Sequence, residues 1–483
     1  MAVLLVGAFS FLYWFTLAPT VLWGDSAKLA IYVKEMFITV DPIGNHMLHT
    51  VLGKVFDLLP VGDFAFRQNL MSACFGAAAL ALFYRLMDLL LRNKPIAFYS
   101  SFCLGLSHTF WLVSVINESY AIFLFFFILG LWFLVKWEQT GSNAYLYLHS
   151  AFIGVGLLNN MLEGVMIPAT LLFLFLSERG RRWLFSPRFL LGFLCFILVL
   201  SPFILLTIKT GPVPVRAYQW FLRPGEIFPE ILFYPGYLFY QFPFVGFCLG
   251  WLGAKQMSRL KKQLFWVLGL MMLLDVFFAS GYLRQRRFFL LLPSYVCFAV
   301  WIGYGLQRII HASTFQKAAL RLAVSALLVL TPVTLYFALP LVANHYRLEL
   351  IRGRRLAYRN NNTFYLNPIK RWEFGAREYG LESLRVAKPN SCIVGDFTPS
   401  MVLSYYQKIE GLRPDVLISI AADRYVMFPE RRREFYDFIS NLLKERPVYI
   451  ADNEESYYTF EELKRRFEVI PQGPIWEIRH HGS

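Results

Sequence analysis

Apolar runs long enough to cross a bilayer recur along the first two-thirds of this chain, and they restrict its fold more than any other feature. The first extends from Val3 to Leu22; the others fall at about 68–91, 96–115, 119–136, 144–161, 162–177, 189–208, 228–253, 263–281, 288–307 and 319–341. A membrane helix needs ~20 mostly apolar residues, so the pattern predicts a polytopic α-helical membrane protein with about eleven transmembrane helices. A composition that is 57% hydrophobic and 18% aromatic agrees, since no soluble domain needs so much apolar surface. The first run lacks a charged leader and a small-residue cleavage site before Trp23, so it is expected to stay in the protein as a span.

The net charge of +15 sits mainly in alternate loops: Arg92 and Lys94; Lys136; Arg179, Arg181, Arg182 and Arg188; Lys255, Arg259, Lys261 and Lys262; Arg308, Lys317 and Arg321. Basic loops stay in the cytoplasm, which places the N-terminus there and everything beyond the last span outside. Orientation and lipid headgroups therefore account for the charge, and nucleic acid is not an expected partner. Cys74, Cys103, Cys195, Cys248, Cys297 and Cys392 have neither metal spacing nor an obvious disulfide pattern. The chain carries no Walker loop, GxSxG, HExxH or CxxC, and Gly154-Val155-Gly156 lacks the third glycine of a dinucleotide motif. An ATP-driven pump and a nucleotide-sugar donor are both unexpected.

The outward side holds the polar residues. In the first outward loop, 23–66, Trp23-Gly24-Asp25-Ser26 directly follows the first span. Lys28–Phe37 and His46–Leu59 read as two interfacial amphipathic helices around a turn at Asp41-Pro42-Ile43-Gly44. Asp25 has two readings: Asp25 or Ser26 caps the next helix, or Asp25 is a base held at the membrane boundary. The loop 209–227 carries Lys209, Arg216 and Arg223, and the segment 281–287 carries Arg284, Arg286 and Arg287 on the side where clustered arginines are disfavoured. They either snorkel at a span end or grip phosphate in bidentate fashion. Asp41, His46, His49, Arg67, Asn69, Asn117, Glu118, Asn159, Asn160 and Glu163 fall at outward span ends and together would line a cavity.

Residues 1–341 are thus expected to form the membrane module and 342–483 a small extracytoplasmic α/β domain. There, strands at 391–396, 416–420 and 447–452 alternate with helices at 401–410, 432–444 and 460–467, which argues for a parallel sheet. Asp396, at a strand end, either caps the next helix or binds a ligand.

Several short pieces then line up in order: Gly24-Asp25-Ser26, Asp41-Pro42-Ile43-Gly44, Leu52-Gly53-Lys54-Val55-Phe56, Arg67-Gln68-Asn69-Leu70-Met71-Ser72-Ala73, Phe110-Trp111, Asn117-Glu118-Ser119-Tyr120-Ala121, Gly156-Leu157-Leu158-Asn159-Asn160 and, near the end, Tyr405 to Val416. In this the chain resembles a domain-of-unknown-function membrane family that includes the transmembrane O-mannosyltransferase of plexin-type receptors and many bacterial members. The resemblance implies a GT-C glycosyltransferase fold, a polyprenyl-phosphate sugar donor and an acidic residue in the first outward loop, which Asp25 matches. The chain departs from the family in having Lys28 where Glu is usual and Asp41-Pro42-Ile43-Gly44 where His-Pro-Pro-Gly is usual.

The expected activity is transfer of a sugar from a polyprenyl phosphate to an acceptor hydroxyl, on a protein Ser/Thr or a glycan, with inversion. Asp25 would be the general base. Arg284, Arg286 and Arg287 would hold the phosphate, with Arg216 and Arg223 in reserve. Glu118, Asn159 and Asn160 would position sugar or acceptor, and Asp41, His46 and Arg67 would complete the substrate-binding wall. No metal ligand is assigned and no cofactor is required, although an Asp/Glu pair could take a divalent ion. A bacterial inner membrane suits the short loops. The alternative is a transporter or flippase for a lipid-linked sugar; such proteins often show internal repeats, and this sequence shows none.

Overall fold

The structure is a computed structural model and describes residues 1–40, 46–211, 224–282, 287–311, 318–351, 354–426 and 431–482. Five described helices are long and apolar enough to cross a membrane: Phe64–Leu91, Tyr120–Thr140, Pro187–Thr210, Lys262–Gly281 and Ala323–His345. A sixth crossing would combine Met161–Phe175 with Glu178–Leu184, which bend by 116° at their junction. Helix Ala2–Thr16 has 15 residues, and at 1.5 Å per residue it falls short of a ~30 Å hydrocarbon core.

Two apolar runs that read as single spans are broken. The run 96–115 is divided into Lys94–Leu106 and His108–Val113 by Ser107, whose backbone is extended. The run 228–253 is split among Pro224–Ile231, Tyr234–Gln241 and Val245–Leu260, with prolines at 229, 235 and 243 and a positive φ of 51° at Phe244. Proline removes a backbone donor and clashes with the preceding turn, so composition alone overstates helix continuity here. Helix Pro187–Thr210 has only Gly192 buried and presents Leu190, Leu194, Leu198, Leu205 and Ile208 outward, as a lipid-facing helix should.

The two loop helices are not equally interfacial. Helix Met47–Asp57 keeps Val51 and Val55 exposed while burying His49, Thr50 and Gly53, so its apolar face is free for lipid. Helix Asp25–Glu35 instead buries Ser26, Ala27, Leu29, Ala30, Ile31 and Val33. It packs between Met47–Asp57 and the C-terminal helix Phe397–Lys408. A burial partner from far along the chain overrides its amphipathic pattern.

The C-terminal part carries a five-stranded sheet. Its strands are β1 (Cys392–Val394), β2 (Leu417–Ser419), β3 (Val448–Ile450), β4 (Glu468–Gln472) and β5 (Ile475–Arg479), in the order β2-β1-β3-β5-β4. The first three run parallel, at the positions where the sequence places strands. The sheet is mixed, however, because β5 pairs antiparallel with both β3 and β4. The β4–β5 hairpin escapes notice because Pro471 and the charged ends interrupt its alternation.

Sheet and bundle share one continuous buried core. Trp23 packs on Tyr379 with ring centroids 5.1 Å apart, and Lys408 pairs with Glu35 at 2.9 Å. Asp396 caps helix Phe397–Lys408 through the Thr398 N–H and also accepts from Arg354, whose Nε donates to Asp452 at 2.7 Å. The ends of β1 and β3 are therefore filled by an arginine of the chain itself, which agrees with a structural role for Asp396.

Candidate active site

The approach to Asp25 is fixed by hydrogen bonds from three distant segments. The Trp111 indole donates to Thr16 Oγ1 (2.9 Å), and the Ala18 N–H donates to the Val115 carbonyl (2.9 Å). Asn69 Nδ2 donates to the carbonyls of Ala18 (2.9 Å) and Thr20 (3.1 Å), and Thr20 Oγ1 donates to Asp63 (2.9 Å). At the end of this stretch Gly24 adopts φ 64°, a conformation that side chains disfavour. Gly24 occupies the cap position itself, and Asp25 is the first helical residue, where its carboxylate meets the positive end of the helix dipole. Side-chain capping by Asp25 or Ser26 is not the arrangement found.

The Asp25 carboxylate lies 2.8 Å from Lys28 Nζ, and its side chain is 34% exposed against 17% for Lys28. The ammonium also lies over the rings of Phe397 (5.6 Å) and Tyr32 (5.8 Å). Burial pulls the Lys28 pKa down, but the charge and hydrogen bond of Asp25, aided by Tyr32 and Glu118, leave it raised. Lys28 therefore stays cationic.

Asn117 links this helix to the rest of the polar cluster. Its Nδ2 donates to the Ser26 carbonyl (2.9 Å), and its Oδ1 accepts from His49 Nε2 (2.9 Å). Burial, with His46 adding to it, pushes the His49 pKa down to about 3, so the ring is neutral. His46 Nδ1 lies 2.7 Å from the Asn159 carbonyl. Asn159 Nδ2 donates to the Ser119 carbonyl (2.8 Å) and Asn160 Nδ2 to Ser119 Oγ (3.0 Å). His46 and the adjacent Asn159 and Asn160, far apart in sequence, thus belong to one polar cluster in which Asn159 and Asn160 are buried, and the neighbouring Glu118 is only 7% exposed.

Ser26 and Glu118 line a small closed cavity of about 20 Å³ together with Trp23, Phe289, Tyr365 and Lys370. That is room for one water. Lys370 is 2% exposed, and its Nζ donates to the carbonyls of Phe364 and Asn367. Burial depresses its pKa to about 8 against the opposing pull of Glu373. A wider hollow of about 630 Å³ at Asp88, Arg92, Asn93, Lys94 and Pro95 is a surface depression. It sits at the other end of the 28-residue helix Phe64–Leu91, ~40 Å from this cluster by helix length.

Arg67 is engaged elsewhere: it clamps the turn before its own helix through Asp57 (2.8 Å) and the Gly62 carbonyl (3.0 Å). Asp41, Arg216, Arg223, Arg284 and Arg286 lie outside the described residues, as does the side chain of Arg287, which begins helix Arg287–Leu290. Phe289 in that helix reaches the cavity and stacks on Tyr120 at 5.5 Å. Among the described residues no group of three or more His, Cys, Asp or Glu side chains could hold a metal ion. Sequence reasoning missed Tyr365 and Lys370: beside Arg371 in a polar linker, nothing marks Lys370 as the buried one.

The family model described as dolichyl-phosphate-mannose-protein mannosyltransferase matches residues 52–206. No curated protein matches the chain by sequence. Among solved structures, the chain is similar to ArnT from Cupriavidus metallidurans bound to undecaprenyl phosphate, with a TM-score of 0.60 at 12% identity over 99% of this chain and 97% of that one. The apo form of the same protein gives 0.59 at 15% identity over the same shares. The oligosaccharyltransferase of Archaeoglobus fulgidus, in complex with zinc and sulfate, gives 0.53 at 13% identity over 94% of this chain and 68% of that one.

Proposed function

We propose that the chain, which has the fold of ArnT and the archaeal oligosaccharyltransferase, is a membrane glycosyltransferase that moves a sugar from a polyprenyl phosphate to an acceptor hydroxyl at the extracytoplasmic face. The hydroxyl, on a protein Ser/Thr or a glycan, attacks the anomeric carbon as Asp25 takes its proton. The anomeric carbon–oxygen bond breaks and its electron pair stays on the leaving phosphate. A single displacement of this kind inverts the anomeric centre. The observation that carries the reading is the Asp25–Lys28 pair (2.8 Å), next in the chain to Ser26 on the wall of a cavity that Glu118 and Lys370 also line. A cation 2.8 Å away favours the charged form of a carboxylate, the form that can accept a proton. Cations would hold the leaving group, a role the sequence offers to Arg284, Arg286 and Arg287.

On this reading the chain crosses a bacterial inner membrane about eleven times, some crossings made by broken helices buried in protein. The N-terminus is cytoplasmic and the segment 342–483 covers the site from the periplasm.

The test is Asp25→Asn, assayed with a polyprenyl-phosphate sugar and acceptor in reconstituted membranes. Transfer should fall by ~10²–10⁴, the usual worth of a positioned base, while binding of the lipid donor persists. Full transfer by a well-folded Asp25→Asn protein would reject the assignment. Movement of the lipid-linked sugar across the bilayer without transfer would favour a flippase.

A further inference from the structure

We propose that Phe397, in the C-terminal segment, is a positioning residue of the transfer reaction: its ring holds the Lys28 ammonium against the Asp25 carboxylate. This rests on the reading of Asp25 as the base and adds to it a residue from the far end of the chain.

Phe397 is held firmly where it stands. It is the first residue of helix Phe397–Lys408, which Asp396 caps through the Thr398 N–H (3.1 Å), and its own N–H donates to Asp423 (2.7 Å). Asp396 is in turn fixed by Arg354. The helix has 12 residues and its neighbour Asp25–Glu35 has 11. Phe397 meets Lys28 near the start of both, and Lys408 meets Glu35 at the end of both (2.9 Å). The two helices therefore run side by side in the same direction. Contacts at both ends set their register, so the ring cannot slide off Lys28 while the helices stay docked.

A lysine stem is flexible, and its ammonium stays in one place only if its surroundings keep it there. Asp25, Tyr32 and Glu118 act on this one electrostatically. The Tyr32 ring (5.8 Å) belongs to the same helix as Lys28 and moves with it, whereas the Phe397 ring (5.6 Å) comes from outside. Both lie within the ~6 Å over which a ring face attracts a cation. Phe397 also covers the turn that presents the base: a Cβ placed on Gly24 would lie 3.7 Å from Phe397 Cε1 and 3.9 Å from Thr398 Cγ2. The ring thus closes over both Gly24 and Lys28. Without its face the ammonium is free to swing toward water, and the carboxylate loses the partner that fixes it. Misplacing a reacting group by ~1 Å costs up to ~10²-fold in rate, so the loss falls on the chemical step.

The test uses the full chain in nanodiscs, with undecaprenyl-phosphate mannose as donor and a Ser/Thr-rich peptide as acceptor, and reads kcat and KM separately. Phe397→Leu keeps an apolar side chain and removes the ring face. Its kcat should fall by about 2- to 30-fold, the range of a cation–π contact, with the donor KM unchanged. Phe397→Tyr should restore most of the rate. In a Lys28→Gln background Phe397→Leu should cost nothing further, because the ring then has no cation to hold. An equal loss in both backgrounds would show that the ring supports the fold and not the pair, and would overturn the inference. A wild-type kcat in Phe397→Leu would overturn it too. Should Phe397→Leu not fold, fluorinated phenylalanines at position 397 decide. Each fluorine weakens the ring face toward a cation with little change of shape, so kcat should fall stepwise, and a flat series overturns the inference. All these failures leave Asp25 standing as the base. Full transfer by Asp25→Asn, or no transfer by wild type, would overturn the base reading and the inference with it.

Discussion

Lys28 reaches back one helical turn to Asp25, Nζ to Oδ1 at 2.8 Å, and the pair sits under the Phe397 ring of the C-terminal segment. A cation at this distance favours the ionised carboxylate. Replacing Lys28 by Gln should therefore make Asp25 easier to protonate. The acid limb of the kcat/KM–pH profile should move up by about one unit, which corresponds to ~1.4 kcal/mol. An unmoved acid limb in an active Lys28→Gln enzyme would mean that Asp25 is not the titrating base.

Gly53 sits where three helices meet. A Cβ placed there would lie 2.5 Å from Val33 Cγ2 and 2.6 Å from Gln68 Oε1. Gly53→Ala should lower stability by ~1–3 kcal/mol through overpacking. Adding Val33→Ala should recover part of the loss, and thermal melting of the two single variants and the double variant gives the coupling directly.

Arg354 neutralises Asp396 and Asp452 in a buried cluster where Tyr458 also bonds to Asp396 (2.6 Å). Arg354→Met leaves two carboxylates buried without their cation, and breaking such a pair costs ~3–5 kcal/mol. The expected result is early unfolding of the sheet, read as faster proteolysis beyond residue 354 while the bundle stays intact. Adding Asp396→Asn and Asp452→Asn to that variant should restore much of the resistance.

Lys370 gives a pH signature of its own. Its folded pKa of about 8 lies below the ordinary lysine value of 10.5, so between these values the unfolded chain binds more protons. Stability from this group is therefore lowest below pH 8 and rises as pH climbs toward 10.5. The gap in unfolding free energy between wild type and Lys370→Met should shift in favour of wild type by about 3 kcal/mol over that window. Parallel curves for the two proteins would place the ammonium in water.

Much of the architecture could be read from residue pattern because hydropathy and charge alternation are local. The span Tyr120–Thr140 and the three parallel strands lie where the residues indicate. Breaks at Ser107 and around Phe244 were not legible, since an apolar run reads the same whether or not the helix inside it is continuous. Asp25, Glu118, His46, Asn159 and Asn160 could be singled out because polar side chains at span ends are expensive. Lys370 could not: its importance comes from a backbone bond to Thr16, across more than 350 residues, and no local signal encodes a contact at that separation.

That bond between Lys370 and Thr16 also has a consequence for biosynthesis. The helix leading to Asp25 leaves the ribosome more than 350 residues before Lys370, which helps to wall in its surroundings. A nascent chain released early would leave its helices in the bilayer but its reaction chamber unroofed. On the proposed reading, transfer waits until that wall is in place.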